Sequence, residues 1–142
     1  MADVDAAACI EQLSSPAPWN ATIIAGCLRP DYLCTVVEHR RGLAGFAIAN
    51  HAVNEGHLLN IAIHPLHRRQ GLGSKLMNSV LASLERRLAH VIYLEVRRSN
   101  SVAIAFYRSY GFEEYGVRPD YYALGDGRED ALTMKLKLLT ER

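Results

Sequence analysis

Glu95 stands inside an otherwise apolar run, Val91-Ile92-Tyr93-Leu94-Glu95-Val96. A carboxylate buried there without a partner would cost several kcal/mol. Strand alternation puts it on the face of Val91 and Tyr93, opposite Ile92, Leu94 and Val96. Two readings fit such a residue. It closes a structural ion pair with an arginine, or it works in a cleft as a general base, where partial burial raises its pKa toward the working range. Asn100 and Tyr107 follow on one predicted helix. Seven positions of helix leave them about 20° from eclipsed and ~10 Å apart along the axis. A linear ligand lying along that helix can touch both, Tyr107 protonating a leaving group and Asn100 binding amide groups nearer the other end. The plainer alternative gives Asn100 a capping role and Tyr107 a packing role.

A second chemistry is written between Leu58 and Leu76. A short apolar run breaks at Pro65, turns through a basic, glycine-containing loop and enters a helix whose apolar residues recur at Leu72, Leu76, Val80, Leu84 and Leu88. A strand feeding a helix N-terminus presents unpaired backbone N–H groups backed by the positive end of the helix dipole. Gly71 and Gly73 remove side chains from that approach, and Arg68 and Arg69 add positive charge at its mouth. This is the design of a phosphate site. A dinucleotide-binding fingerprint would need glycine where Leu76 stands, and Gly73-Ser74-Lys75 inverts the order of a Walker A loop.

The elements that must position these residues read in order. Residues 3–14 form a short helix stopped by Ser14-Ser15-Pro16-Ala17-Pro18, and Asn20 caps a second helix through about Cys27. Tyr32–Glu38 and Leu43–Asn50 make a hairpin, in which the small residues Ala44, Gly45, Ala47 and Ala49 require something to pack closely. Strand Leu58–Ile63, the loop and the long helix lead to strand Val91–Val96. The helix capped by Asn100 closes at Gly111, strand Phe112–Val117 follows, residues 118–129 read as a loop, and alternation at Leu132, Met134, Leu136 and Leu138 marks a final strand. Hairpins followed by strand–helix–strand imply a mixed sheet with helices on its faces.

Bulk properties narrow the class. The chain has 142 residues, 49% hydrophobic and 22% charged, which suits one domain, 1–142, with a single core. A net charge of +1 argues against blanket neutralisation of a nucleic acid; the basic residues cluster instead at His67-Arg68-Arg69, Arg86-Arg87 and Arg97-Arg98, which suits one small anion. Cys9, Cys27 and Cys34 lack metal-ligand spacing, so no metal site is expected, and they read as reduced thiols in or near the core. No secretion signal and no membrane-length apolar run is visible, so a reducing cytoplasm is the expected compartment.

Arg68-x-x-Gly71-x-Gly73 resembles the pyrophosphate signature of the GNAT N-acetyltransferases, and longer stretches extend the likeness. Asn60-Ile61-Ala62-Ile63-His64-Pro65, then Leu94-Glu95-Val96-Arg97, Ser99-Asn100, Ala103-Ile104-Ala105, Tyr107, Gly111-Phe112, Asp120-Tyr121-Tyr122 and Asp126 to Ala131 follow in order. Together they resemble the RimI branch of that family, the ribosomal-protein-alanine N-acetyltransferases, over about residues 3–138. The resemblance implies an α+β GNAT fold, with a mixed, mostly antiparallel central sheet, helices on both faces and the family's first strand missing. It implies acetyl-coenzyme A bound by Ile61, Ala62, Ile63, Arg69, Gln70, Gly71, Leu72, Gly73 and Ser74, with Asn100 on the pantetheine arm. Glu95 would accept the amine's proton, Tyr107 would protonate the departing thiolate, and Tyr121 and Tyr122 would shape a slot for a protein N-terminus, a ribosomal protein's N-terminal alanine being the implied substrate. Pro119, Asp120 and Ala123 depart from the family pattern near that slot. Two other functions remain open on sequence: the same cofactor used on lysine or a small amine, and a non-catalytic acyl-coenzyme-A-binding or docking module.

Overall fold

A computed structural model describes residues 2–16, 18–40, 42–68 and 70–138. Two helices open the chain, α1 (Ala2–Ser14) and α2 (Ala21–Ala25), and Asn20 Oδ1 caps the second by accepting the Ile23 N–H at 2.9 Å. Then come β1 (Tyr32–His39), β2 (Gly42–Ala52), β3 (Glu55–Ile63), a short 3-10 turn at Pro65–His67, α3 (Leu72–Arg86), β4 (Val91–Arg97), α4 (Ser101–Ser109), β5 (Glu113–Leu124) and β6 (Gly127–Lys137). The six strands form one sheet in the order β1-β2-β3-β4-β6-β5, antiparallel throughout except for the β3–β4 pair. That is the mixed sheet the sequence implies.

Alternation along the strands divides the core into two layers. Val4, Ala7 and Ile10 of α1 and Ile24 of α2 pack with Phe46, Ile48 and Ala62 on one face. Leu76, Met77, Val80 and Leu84 of α3 and Ile104 of α4 pack with Ala47, Ala49, Leu58, Ile92, Leu94, Val96, Leu132 and Met134 on the other. The small residues of β2 explain the tight fit. A Cβ on Gly45 would lie 2.7 Å from the Ala62 carbonyl oxygen, so β2 and β3 approach more closely there than any side chain permits. The apolar stripe of α3 stops one turn early, because the helix ends at Arg86 and Leu88, at φ +65°, is 65% exposed.

Two departures in the strands matter for the site. Ile48 pairs with Asn60 while Ala49 pairs with Leu58, so Leu59 is an extra residue, a bulge that bends β3. Beyond it β3 no longer pairs with β4: the parallel ladder covers only Glu55–Leu58 against Val91–Leu94. The edges of Leu59–Ile63 and Glu95–Arg97 therefore face one another across a gap in the sheet.

The second departure corrects the loop expected over 118–129. These residues continue β5 to Leu124, turn at Gly125-Asp126 and start β6 at Gly127. The strand is hard to read because nearly all of β5 is exposed and shows no alternation, while Pro119, with no N–H to give a ladder, falls in a register break between Arg118 and Tyr122. Asp120, at φ +52°, is held there by Asp130, whose Oδ1 accepts its N–H at 3.0 Å. The cysteine expectation also changes: Cys27 is buried, but Cys9 and Cys34 are exposed, and all three are free thiols.

Candidate active site

Ile61, Ala62, Ile63 and Glu95 stand on the two walls of the gap beside the Leu59 bulge. Ile61 and Ile63 pack toward the α3–α4 core and Ala62 toward the α1–α2 layer, leaving their backbone edge open toward β4. Glu95 lies on the opposite wall, just past the last paired residue, Leu94. It shares its face with Tyr93, while Ile92, Leu94 and Val96 are buried on the other, as alternation requires.

Glu95 is tied to a residue that sequence reasoning missed. His57 Nε2 and Glu95 Oε1 are 2.8 Å apart, with the two side chains 34% and 10% exposed. The expected rise of the Glu95 pKa is overturned. It lies below the ordinary carboxylate value, chiefly because His57 hydrogen bonds it; burial opposes this, and the charges of His57 and then Arg118 add to the lowering. The partner is a histidine, not the arginine that the ion-pair reading supposed. Nothing local marks His57 in the sequence, since its relation to Glu95 appears only once the parallel register places it opposite Tyr93.

Tyr107 comes from the other side of the sheet. It is 8% exposed, lies edge-on to Phe112 at 5.8 Å, and its hydroxyl makes no hydrogen bond among the described residues. Burial first, and then Tyr122, raises its pKa well above the ordinary phenol value. Tyr122 is pushed up to about 12 by burial and then by the Glu95 charge, so it is electrostatically coupled to both candidate catalytic groups. Tyr121 stands edge-on to it at 4.9 Å but is 43% exposed, under the Arg118 guanidinium at 5.5 Å.

Of the clustered basic residues, Arg97 serves this wall instead, with Arg128 beside it. Arg97 stacks on the Tyr122 ring at 4.6 Å and pairs with Glu129 at 3.1 Å, both side chains about nine-tenths buried at 11% and 10% exposure. Arg128 donates to the Asp120 and Tyr121 carbonyls at 3.0 and 3.1 Å, fixing the irregular segment that aims the two tyrosines. Glu129 lies below the ordinary carboxylate value because of hydrogen bonds from Ser99, then Arg97. A lowered carboxylate contributes stability above its unfolded value, here near 4.5, and loses it as the pH falls through the folded value. Circular dichroism during acid titration should therefore show stability falling below pH 4.5, with Glu129→Gln less stable at neutral pH and flatter through the titration; an unchanged slope would remove Glu129 from this role.

The remaining predicted residues stand at two helix starts. Gly71 caps α3 at φ +76°, a conformation that glycine adopts at no steric cost, and open space lies where its Cβ would be. The first helical bond runs from Lys75 N–H to Gly71 O, so the N–H groups of Leu72, Gly73 and Ser74 have no helical acceptor, and the first turn holds no acidic side chain. These features fit a diphosphate. Gly73 is less constrained than expected, since a Cβ there meets Phe106 at an ordinary 3.6 Å. Arg68 bends back to donate to the Ile63 carbonyl at 3.3 Å, and Arg69 lies outside the described residues. Asn100 Oδ1 accepts the Ala103 N–H at 3.1 Å, so its capping role is present. Sequence reasoning also passed over Glu11, 4% exposed, which accepts from Trp19 N–H and Asn60 Nδ2, each at 3.1 Å, and so braces β3 beside the bulge.

The sequence and the fold have known relatives. The acetyltransferase (GNAT) family profile matches residues 4–112. A relative from Escherichia coli strain K12, the [ribosomal protein bS18]-alanine N-acetyltransferase, is 40% identical over 136 residues, covering 96% of this chain and 92% of its own. The crystal structure of the E. coli ribosomal-protein-S18-alanine N-acetyltransferase superposes with a TM-score of 0.89 at 41% identity, over 95% of this chain and 87% of that one. Ard1 from Thermoplasma volcanium superposes with a TM-score of 0.86 at 28% identity, over 96% and 92%.

Proposed function

The chain belongs to the acetyltransferase (GNAT) family, and from that premise we propose that it transfers the acetyl group of acetyl-coenzyme A to a protein's N-terminal α-amine, that of a ribosomal protein S18 beginning with alanine. The observation that carries this reading is the gap between Leu59–Ile63 and Glu95–Arg97, with a carboxylate on one wall and a buried phenol in the core on the other face of the sheet. The relatives' named substrate supports the choice of amine.

In this reading the N–H groups of Leu72, Gly73 and Ser74 hold the diphosphate, the open edge of Ile61–Ile63 lines the thioester, and Asn100 meets the pantetheine amides. An N–H of the β3 edge polarises the thioester carbonyl. The neutral amine attacks that carbonyl directly, with Glu95 drawing off its proton, straight or through a water, and Tyr107 protonating the departing thiolate. No covalent bond to the enzyme forms. Tyr121 and Tyr122 wall the slot for the N-terminal residue.

The amine's chemistry favours an N-terminus over lysine. At pH 7, neutralising an α-amine of pKa ≈ 7.7–8.0 costs roughly 1 kcal/mol, against about 4.6 kcal/mol for a lysine of pKa ≈ 10.4. One carboxylate held below its ordinary pKa suits the smaller task. Thiol release from acetyl-coenzyme A, measured across peptides that differ only in their first residue, tests the proposal. A free N-terminal alanine should exceed an internal lysine in a blocked peptide by about 10²-fold in kcat/KM or more; preference for the lysine would overturn it.

A further inference from the structure

We propose that the general base of this site is the His57–Glu95 pair acting as a unit, with the proton from the substrate amine coming to rest on the His57 imidazole. This rests on the reading of the β3–β4 gap given above and refines it: the carboxylate holds the ring and the charge, and the ring holds the proton.

The geometry supplies three reasons. First, His57 is the register partner of Tyr93, so Glu95, two residues further along β4, is its diagonal neighbour on the same face, and Nε2 reaches Oε1 at 2.8 Å. Secondly, Glu95 is 10% exposed and His57 34%, so the ring is the member of the pair with a path to water. Thirdly, the ring has a second nitrogen, so it can take a proton at Nδ1 while Nε2 keeps its 2.8 Å contact with Glu95.

From α1, which packs against β3, the buried charged group is Glu11, held by Trp19 N–H and Asn60 Nδ2. On β4 the neighbour of the pair is Tyr93; on β2 it is Asn50, which is uncharged, while the adjacent His51 alternates to the other face. From β6, Thr133 stands opposite Glu95 and Lys135 opposite Tyr93. From β5, Arg118 acts on Glu95, and Tyr122 answers to the Glu95 charge. Arg97, next on the same face of β4, is spent on Glu129 and Tyr122.

The proton balance closes with no further reactant. With Nε2–H donated to Glu95 Oε1, Nδ1 keeps a lone pair. The first N–H bond of the substrate ammonium breaks, its electron pair stays on nitrogen, and the proton passes through water to Nδ1; once the amine has attacked, a second N–H proton leaves nitrogen as the C–S bond breaks and restores the Tyr107 hydroxyl that protonates the thiolate. Glu95 remains a carboxylate against the new imidazolium, which later returns the proton to solvent.

His57→Gln is the test, because the amide still donates to Glu95 but cannot take a proton. With acetyl-coenzyme A and a peptide bearing free N-terminal alanine both saturating, kcat should fall about 10- to 10²-fold while both KM values stay within about threefold. The wild-type kcat profile should carry an acid limb besides the amine's own titration near about 8, and that limb should shift in the variant, where the carboxylate alone is left to accept the proton. A variant with wild-type kcat and an unmoved limb overturns the inference, as does a wild-type profile with no acid limb besides the amine's own, a measurement that needs no variant to fold. Glu95→Gln separates the two levels: if it is inactive while His57→Gln matches wild type, Glu95 works alone; if it is fully active, the reading of the site itself falls.

Discussion

Glu95→Gln is expected to lower kcat by about 10²–10⁴-fold, the range that a positioned general base contributes, while acetyl-coenzyme A binds as before. The substitution keeps the shape and removes only the charge. Whether the proton rests on the carboxylate or on the adjoining ring, that charge, 2.8 Å from His57 Nε2, is what makes its acceptance favourable. The diphosphate contacts assigned to Leu72, Gly73 and Ser74 lie at a different helix and do not involve it. The fold should persist, because the side chain is not a member of either apolar layer. Steady-state kinetics with titration calorimetry on the same preparation checks this. Lost cofactor binding would make Glu95 structural, and unchanged kcat would remove it from the chemistry.

Tyr107→Phe is expected to lower kcat by about 10²-fold, with little change in stability or in the KM for peptide. The ring packs against Phe106 and Phe112, and phenylalanine keeps those contacts. The hydroxyl bonds nothing among the described residues, so its removal leaves no orphaned partner behind. Its pKa, raised by burial, keeps it protonated across the working range, which a donor to a thiolate requires. A urea midpoint equal to wild type with a crippled kcat is the expected pair of results. Loss of both would show a packing residue only.

How much of this was legible in the residues depends on how local each signal is. Glu95 declared its face by alternation, Asn100 declared its cap, and the glycines after Pro65 declared an uncapped helix start, because each signal is local. The bulge at Leu59 left no trace in composition, although β3 leaves β4 just beyond it and opens the gap beside Glu95. His57 was invisible for the same reason: its link to Glu95 spans 38 positions and depends on a parallel register. The arginines misled in the opposite direction. Arg97 and Arg98 looked free for a ligand until the β5–β6 hairpin brought Glu129 and Asp130 to them. The far half of that hairpin was itself misread as a loop, since an exposed strand broken at Pro119 carries no hydrophobic period, and the Gly125-Asp126-Gly127 turn signal then reads as part of the loop.

The most direct test is a crystal structure of this chain with coenzyme A. The diphosphate should lie on the N–H groups of Leu72, Gly73 and Ser74, and the sulfur in the gap between Leu59–Ile63 and Glu95–Arg97, within hydrogen-bonding reach of the Tyr107 hydroxyl. Coenzyme A bound elsewhere, or seated with its sulfur away from that gap, would contradict this placement.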